Sequence, residues 1–184
     1  IDIGANVGVY SLFAATQMNA QGRILALEPY PPIYQRLLFN IQATQQGRND
    51  WPDIRVLPVG VADRVTSFDL HLNPDNLGQN SIVADSESTR SGATISVQCQ
   101  PLMSILQAQS IERIDVLKID IEGAEDLALC PFLHEAADSL LPRYLLIEDS
   151  ANRWQQDLKG AIASRGYKAI LQSRMNIIYG LAGR

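Results

Sequence analysis

Four residues near the start of the chain, at every second position, have types that suit a ligand-binding turn. They are Asp2, Gly4, Asn6 and Gly8. Glycine at Gly4 permits the positive φ that a tight turn requires, and asparagine tolerates the same left-handed region at Asn6. Gly8 would let the backbone approach a ligand closely. The sequence therefore predicts a ligand above a strand–turn–helix unit formed by the first residues.

The spacing of the glycines decides which ligand suits this turn. Counting the dinucleotide fingerprint GxGxxG from Gly4 places Asn6 and Val9 where glycines are required, and the chain has no Tyr-x-x-x-Lys pair. An NAD-dependent oxidoreductase is therefore disfavoured. The pattern acid-x-Gly-x-Asn-x-Gly resembles the first motif of class I S-adenosylmethionine-dependent methyltransferases, with Asn6 in place of the middle glycine. A turn of small residues beside carboxylates suits the zwitterionic methionine end of that cofactor.

Carboxylates follow the second and third predicted strands. Glu28 ends the apolar strand 23–27, about twenty residues beyond Gly8, where doubly wound folds hydrogen-bond ribose hydroxyls. We expect Glu28 to be the ribose ligand. Asp63 follows the strand 54–59 in a turn that faces the adenine in class I methyltransferases, so it could accept from the exocyclic amine. A helix or turn cap is an equally good interpretation of Asp63.

Acidic residues also end the two strands predicted in the second half of the chain. Asp120 and Glu122 close the apolar run 114–121, and Glu148 closes the run 144–147. Carboxylates at these positions point into the crevice in which open α/β sheets bind ligands. Lys118 alternates onto the same side as Asp120, where it could act in catalysis or form a structural ion pair with one of the acids.

The elements needed to position these residues alternate between strand and helix. Apolar runs bounded by turn residues, and helical spacing that puts Val9, Leu12 and Phe13 on one face, give the order βαβαβ, inserted strands, then βαβαββ. This order predicts an α/β fold with a doubly wound, mostly parallel sheet. The inserted strand pair is predicted at 66–72 and 95–100. Asn152 is expected to cap the last helix, before a C-terminal antiparallel hairpin.

A long polar segment separates the inserted strands. Residues 73–94 are rich in Asn, Asp, Ser and Gly, and a loop of this length is uncommon unless it is functional or disordered. We treat it as a candidate substrate lid. The two histidines, His71 and His134, compete for the role of catalytic base, but positions on an inserted strand and late in a helix favour surface or packing roles.

Composition narrows the class of partner. The chain has 184 residues, a net charge of −5 and no basic cluster, which argues against a nucleic-acid partner. Its length fits one domain, and no apolar run is long enough to span a membrane. Cys99 and Cys130 are expected to be buried free thiols. Because the chain begins inside a strand without Met, we expect the natural protein to extend upstream, and the cytoplasm is the default localisation.

Four stretches together resemble the FkbM-type methyltransferases. They are DIGANVGVYS (2–11), LEPYPPIYQRLLFNI (27–41), NLGQNSI (76–82) and DVLKIDIEGAE (115–125), of which the last is the most specific. The resemblance implies one Rossmann-like class I methyltransferase domain over residues 1–184. It also implies methyl transfer from S-adenosylmethionine to a hydroxyl oxygen of a sugar or secondary metabolite. Two positions depart from the family pattern: Met103 replaces the acid of a Leu-Asp pair, and Ser150 replaces the histidine of an acid-x-His.

Methyl transfer to an alcohol is an in-line displacement, so the protein must chiefly bind, align and deprotonate. We hypothesise that the first turn, from Asp2 to Gly8, holds the methionine end of the cofactor. Asp120 is expected to face the ammonium or sulfonium side, which leaves Glu122 or Glu148 as the candidate base.

Two alternatives are left open. Asp120, Glu122 and Glu148 could instead hold Mg²⁺ through hard oxygen ligands and acidify the substrate hydroxyl. From a different class, the domain could be a degenerate nucleoside-binding or scaffolding module that binds its ligand without turnover. The intact first motif and Glu28 count against lost binding, whereas Met103 and Ser150 leave lost chemistry open.

Overall fold

The computed structural model describes residues 1–71 and 94–183, with the side chains of residues 70 and 71 excepted. This part of the chain follows the predicted order of strands and helices, with one additional short strand. The strands are β1 Asp2–Ile3, β2 Arg23–Leu27, β3 Asp53–Leu57, β4 Gly60–Val61, β5 Thr66–His71, β6 Thr94–Gln100, β7 Val116–Ile119, β8 Tyr144–Glu148, β9 Tyr167–Gln172 and β10 Asn176–Leu181. The helices are α1 Val9–Thr16, α2 Pro31–Gln45, α3 Leu102–Ala108, α4 Glu125–Glu135 and α5 Leu158–Ser164.

Seven strands form one sheet in the order β3-β2-β1-β7-β8-β10-β9. The pairs β3–β2, β2–β1, β1–β7 and β7–β8 are parallel, whereas β10 is antiparallel to both β8 and β9. This confirms the doubly wound, mostly parallel sheet and its C-terminal hairpin. The chain runs outward from β1 to β3 and then returns to the other side of β1. The loops that follow β1 and β7 therefore lead away from each other, which leaves a crevice at the carboxyl ends of these two strands.

The inserted strands form a second, smaller sheet. β5 and β6 pair with each other as predicted, and the pairing is antiparallel, with Phe68 opposite Val97. β4 was not predicted, and it pairs parallel with the end of β6. The candidate lid at 73–94 lies outside the described residues apart from Thr94, which opens β6. The side chain of His71 also lies outside them, while His134 is exposed near the end of α4.

Both faces of the main sheet are covered by helices that bury apolar side chains. α2 begins at Pro31, as predicted, and buries Ile33, Leu37 and Ile41 at four-residue spacing. The opposite face holds the largest cluster, in which apolar residues of the central strands pack against α3, α4 and α5, among them Ile3, Leu117, Ile119, Leu145, Ile147, Leu106, Leu129, Phe132 and Ile162. In the described part of the chain, no helix has the length and hydrophobicity needed to cross a bilayer.

Both cysteines are free thiols, as expected. Cys99 is buried, whereas Cys130 is half-buried. Burial raises the pKa of each thiol to about 11. Both groups are therefore protonated at neutral pH, and the protonated thiol is the less nucleophilic form.

The first helix has a different buried face from the one that the apolar spacing indicated. Val9 and Phe13 are 68% and 67% exposed, while Ser11 and Ala15 are buried. The hydroxyl of Ser11 donates to Oδ2 of Asp2 at 2.7 Å. Small side chains therefore face the sheet here, because a buried carboxylate lies beneath the helix and needs a donor.

The predicted start of the last helix was wrong. α5 begins at Leu158 rather than after Asn152, and its N-cap is Asp157, whose side chain accepts from the N–H of Gly160. Oδ2 of Asp126 accepts from the N–H groups of Gln155 and Gln156. The backbone before α5 is therefore bonded to a buried carboxylate of another element instead of forming a helical turn.

Candidate active site

The turn between β1 and α1 adopts the backbone conformation that the sequence predicted. Gly4, Asn6 and Gly8 have φ values of 72°, 51° and 95°. A Cβ on Gly4 would overlap the carbonyl oxygen of Asp120, which follows the neighbouring strand β7. A Cβ on Gly8 would lie 2.5 Å from Cδ1 of Leu37. The close approach at Gly8 is therefore to α2, and its contact with a cofactor stays a prediction.

The carboxylate of Glu28 fixes this turn from the end of β2. Its Oε2 accepts from the N–H of Asn6 at 3.0 Å, and its Oε1 accepts from the N–H of Tyr30 at 2.9 Å. Burial raises the pKa of Glu28, and the two backbone donors and the charge of Lys118 oppose that rise. A carboxylate has about four acceptor positions, so about two are left for a ligand.

Lys118 lies beneath the turn and holds its buried acid. Its Nζ is 3.2 Å from Oδ1 of Asp2, 3.0 Å from the carbonyl oxygen of Gly4 and 3.6 Å from Oδ2 of Asp120. The ring of Tyr10 covers the ammonium group at 4.9 Å. Lys118 therefore forms a structural ion pair, which was one of the two roles that we considered for it from the sequence. These contacts place Asp2 under the turn rather than in the cleft.

Replacing Lys118 by methionine is expected to lower the free energy of unfolding by about 3 kcal/mol at pH 7, because Asp2 would be left buried without its cation. Urea unfolding of the single variant measures this loss. The double variant Lys118→Met/Asp2→Asn removes both charges and should recover most of it. A single variant as stable as the double variant would contradict this account.

Three carboxylates meet at the ends of β7 and β8. Asp120, Glu122 and Glu148 each offer an oxygen, and these oxygens lie within 4.8 Å of one another. Burial, followed by repulsion from Glu148 and Asp120, raises the pKa of Glu122 to about 7, while Arg153 acts in the opposite direction. Burial also raises the pKa of Glu148, with the charges of Asp120 and Glu125 adding to it. One carboxyl group of this cluster can therefore exchange a proton near neutral pH.

Three further polar residues complete this region, and no role was assigned to them from the sequence. Nη1 of Arg153 donates to the carbonyl oxygen of Glu122 at 3.2 Å and lies 3.7 Å from its Oε2. Glu125 and Asp126, the first two residues of α4, are fully buried and bind the segment that carries Arg153. Acidic residues at the start of a helix are usually exposed and interact with the helix dipole. Only the burial of these two acids shows that they bind a neighbouring segment instead.

The turn, Glu28 and part of the carboxylate cluster line one cleft at the crevice between β1 and β7. It is partly open to solvent, and the rest of its lining consists of apolar residues and Gly60 from β1, β2, the start of α2, the β3–β4 region and the position after Asp120. Of the predicted site residues, those in its lining are Gly4, Asn6, Glu28, Asp120 and Glu122. Among described residues, the lining does not include Asp2, Gly8, Asp63, Lys118 or Glu148.

Asp63 and the two family departures lie in different surroundings. Asp63 is at the surface, 3.1 Å from Nη1 of Arg64, and its contact with adenine stays a prediction. Met103 packs against the main core from α3. Ser150 is buried directly after β8, two residues beyond Glu148. Of the two departures, Ser150 is thus the one beside the carboxylate cluster.

Residues 2–171 match the protein family described as the methyltransferase FkbM domain. The chain belongs to the FkbM methyltransferase family. Methyltransferase sdnD of Sordaria araneosa is similar to this chain, with 26% identity over 151 residues, which cover 68% of this chain and 56% of that protein. The AMB antimetabolite synthetase AmbE of Pseudomonas aeruginosa is 25% identical over 158 residues, which cover 68% of this chain and 7% of that protein. The chain thus spans about half of the first relative and a small part of the second.

An FkbM structure shares this fold. The crystal structure of methyltransferase FkbM from Methylobacillus flagellatus KT superposes with a TM-score of 0.58 at 18% identity. The matched region covers 97% of this chain and 42% of that one. This likeness supports a Rossmann-like methyltransferase fold for the chain.

Proposed function

We propose that this FkbM-family chain, over residues 1–184, is one domain that transfers a methyl group from S-adenosylmethionine to a hydroxyl oxygen of a sugar or secondary metabolite. One observation carries the proposal. The turn residues Gly4 and Asn6, the carboxylate-bearing Glu28 and the acids Asp120 and Glu122 line a single cleft at the switch point of the sheet. Family membership makes methyl transfer the chemistry to expect of this cleft.

The cofactor side of the cleft is formed by the turn and Glu28. Bound S-adenosylmethionine would supply an electrophilic methyl group on a positively charged sulfur. Glu28 would accept from the ribose hydroxyls with its remaining lone pairs, and Asp120 would balance the positive groups of the cofactor. Asp2 would act on the turn through Lys118, and Gly8 through its packing on α2. The contacts of Asp2 with Lys118, of Glu28 with the turn and of Gly8 with α2 support these roles.

The acceptor side is formed by the carboxylate cluster. Glu122 is in the cleft lining and its pKa of about 7 suits a group that must take a proton at neutral pH. Glu148 is the second candidate, because its carboxylate lies next to Glu122 and its Oε2 is buried without a hydrogen-bond partner among the described residues. A small hydroxylated acceptor would place its O–H group against these oxygens.

Titration calorimetry with S-adenosylmethionine and S-adenosylhomocysteine tests the cofactor assignment. We expect saturable binding to the wild type and an affinity about 10- to 100-fold lower for Glu28→Ala, because hydrogen bonds to a carboxylate are lost. Since Glu28 also holds the N–H of Asn6, the 2′-deoxy and 3′-deoxy analogues of S-adenosylhomocysteine serve as controls. The two analogues should bind the wild type more weakly than S-adenosylhomocysteine does. Glu28→Ala should bind the analogues and S-adenosylhomocysteine with about equal affinity.

Two results would count against this proposal. A folded wild type that binds neither compound would contradict the cofactor assignment. If the deoxy analogues lose the same affinity on the wild type and on Glu28→Ala, Glu28 acts only on the turn.

If binding is found, a screen of radiolabelled S-adenosylmethionine against monosaccharides, glycosides and polyketide alcohols would identify the acceptor. Binding with no turnover in that screen would favour the scaffolding alternative.

The three clustered carboxylates also keep Mg²⁺ as a candidate cofactor. Their oxygens have the chemistry that this ion prefers, and their mutual separation would allow one ion to be shared. In that case Asp120, Glu122 and Glu148 would act as ligands. Activity that survives exhaustive chelation would assign them to proton transfer, whereas activity restored only by Mg²⁺ would assign them to the ion.

A further inference from the structure

Glu125 is the most deeply buried acid of the described chain and its partners surround Glu122. The side chain is 0% exposed at the first residue of α4. Its Oε1 accepts from the N–H groups of Ile121 and Gly123, both at 3.1 Å. These are the residues immediately before and after Glu122. One carboxylate oxygen therefore fixes the backbone on both sides of the candidate base.

The other oxygen of Glu125 reaches a second loop. Its Oε2 accepts from Nε1 of Trp154 at 2.8 Å, in the segment between β8 and α5. Arg153, the preceding residue, donates to the carbonyl oxygen of Glu122. Its side chain also occupies the space that a Cβ on Gly123 would need. The loops after β7 and β8 are thus joined at Glu122 by a buried carboxylate on one side and a guanidinium on the other.

Glu122 needs this support because of its own backbone conformation. Its φ is 58°, in the left-handed region that residues with a Cβ rarely adopt without external hydrogen bonds. A glutamate released from these contacts would favour a negative φ, which would change the direction of its side chain. The position of the carboxylate is therefore set by neighbours and not by local preference.

We propose that Glu125 is a positioning residue for methyl transfer, which holds Glu122 in the cleft by clamping the N–H groups of Ile121 and Gly123 and by tying them to Trp154. The proposal rests on the proposed function in that Glu122 acts on the acceptor. Glu125 itself is buried beneath the loop and would not contact substrate.

The test compares Glu125→Gln with the matched variant Asp126→Asn. Both acids are buried at the start of α4 and both bind the β8–α5 segment. Asp126 accepts from the N–H groups of Gln155 and Gln156, whereas Glu125 accepts from those of Ile121 and Gly123. Amide hydrogen exchange at Ile121 and Gly123 should be about 10- to 100-fold faster in Glu125→Gln and unchanged in Asp126→Asn. This readout needs no acceptor.

Catalysis gives the second readout. With the acceptor found in the screen, kcat should fall about 100-fold in Glu125→Gln, because misplacing a reacting group by about 1 Å has an effect of that size. The dissociation constant of S-adenosylhomocysteine should stay within about fivefold, and kcat of Asp126→Asn should fall at least tenfold less than kcat of Glu125→Gln. Should Glu125→Gln fail to fold, Trp154→Phe removes one N–H and should raise the same exchange rates about 3- to 10-fold.

The outcomes separate this proposal from the proposed function. Exchange and kcat at wild-type values in Glu125→Gln, or equal losses in Asp126→Asn, would overturn the positioning role. Unchanged exchange in Trp154→Phe would overturn the link to the second loop. A wild type that binds no S-adenosylhomocysteine would contradict the proposed function instead, while the exchange comparison would still decide whether Glu125 holds the Glu122 backbone.

Discussion

Replacing Glu122 by glutamine is expected to lower kcat for methyl transfer by about 10²- to 10⁴-fold, the usual contribution of a positioned general base. Glutamine keeps the shape of the side chain but cannot take the proton of an acceptor hydroxyl. The affinity for S-adenosylhomocysteine should change little, because Glu28 and the turn before α1 carry cofactor binding in our proposal. Steady-state kinetics and calorimetry on the same variant measure the two effects separately.

The pH dependence gives an independent signature of the same group. A base must be ionised to act, and the pKa of Glu122 is raised to about 7. The rate should therefore rise with pH and level off above about 8, with roughly a tenth of the plateau at pH 6. Glu148→Gln serves as the matched control. If Glu148→Gln loses the rate and Glu122→Gln keeps it, the roles of these two acids are reversed.

The raised pKa also predicts a stability change of known sign. Glu122 has an ordinary pKa of 4.5 when unfolded and about 7 when folded, so its contribution to stability is complete below pH 4.5 and is lost as the pH rises to 7. Glu122→Gln removes this penalty. The variant should be more stable than the wild type by about 1–3 kcal/mol at pH 8 and similar to it at pH 4, as measured by urea unfolding.

Gly4→Ala is expected to lower the free energy of unfolding by about 3–5 kcal/mol and to abolish S-adenosylhomocysteine binding. Two effects add at this position. Its φ of 72° disfavours any residue with a Cβ, and that Cβ would overlap the backbone carbonyl of Asp120. The carbonyl cannot move away easily, because the N–H of Asp120 is bonded to the carbonyl of Ile3 in the sheet. Denaturant unfolding and calorimetry measure both losses.

Gly47→Ala is the matched control for this prediction. Its φ of 77° is nearly the same, but apart from the adjoining residues nothing in the described part of the chain lies within 4 Å of the added Cβ. It should show only the backbone penalty of about 1–2 kcal/mol and normal binding. Equal losses in the two variants would mean that the contact with Asp120 has no effect. Normal binding by a folded Gly4→Ala protein would contradict the place of this turn in the site.

The parts of the fold that were predicted correctly depend on local patterns. The turn residues Gly4 and Asn6 have the positive φ that their types indicated, because that preference belongs to each residue alone. The paired prolines at the start of α2 act in the same way. β4 was missed because two residues, Gly60 and Val61, carry no periodic pattern, and their partner strand β6 lies far along the chain.

The parts of the site that were missed depend on contacts between distant elements. Glu125 ends the motif at 115–125, but nothing in the sequence indicates that its carboxylate turns inward to bind Ile121, Gly123 and Trp154. The start of α5 was misplaced for the same reason, since Asp126 satisfies the backbone before it. Lys118 and Asp2 are 116 residues apart and pair because β1 and β7 are adjacent.

The two backbone hydrogen bonds of Glu28 have a consequence for how such chains change over evolutionary time. Loss of this acid would disturb the turn at Asn6 even in a descendant that no longer binds a cofactor. Selection for folding alone would therefore retain it after turnover had disappeared. Glu122 is different, because its ionised side chain destabilises the fold at neutral pH. In inactive descendants we expect Glu28 to persist and Glu122 to drift, which makes Glu122 the better marker of an active chain.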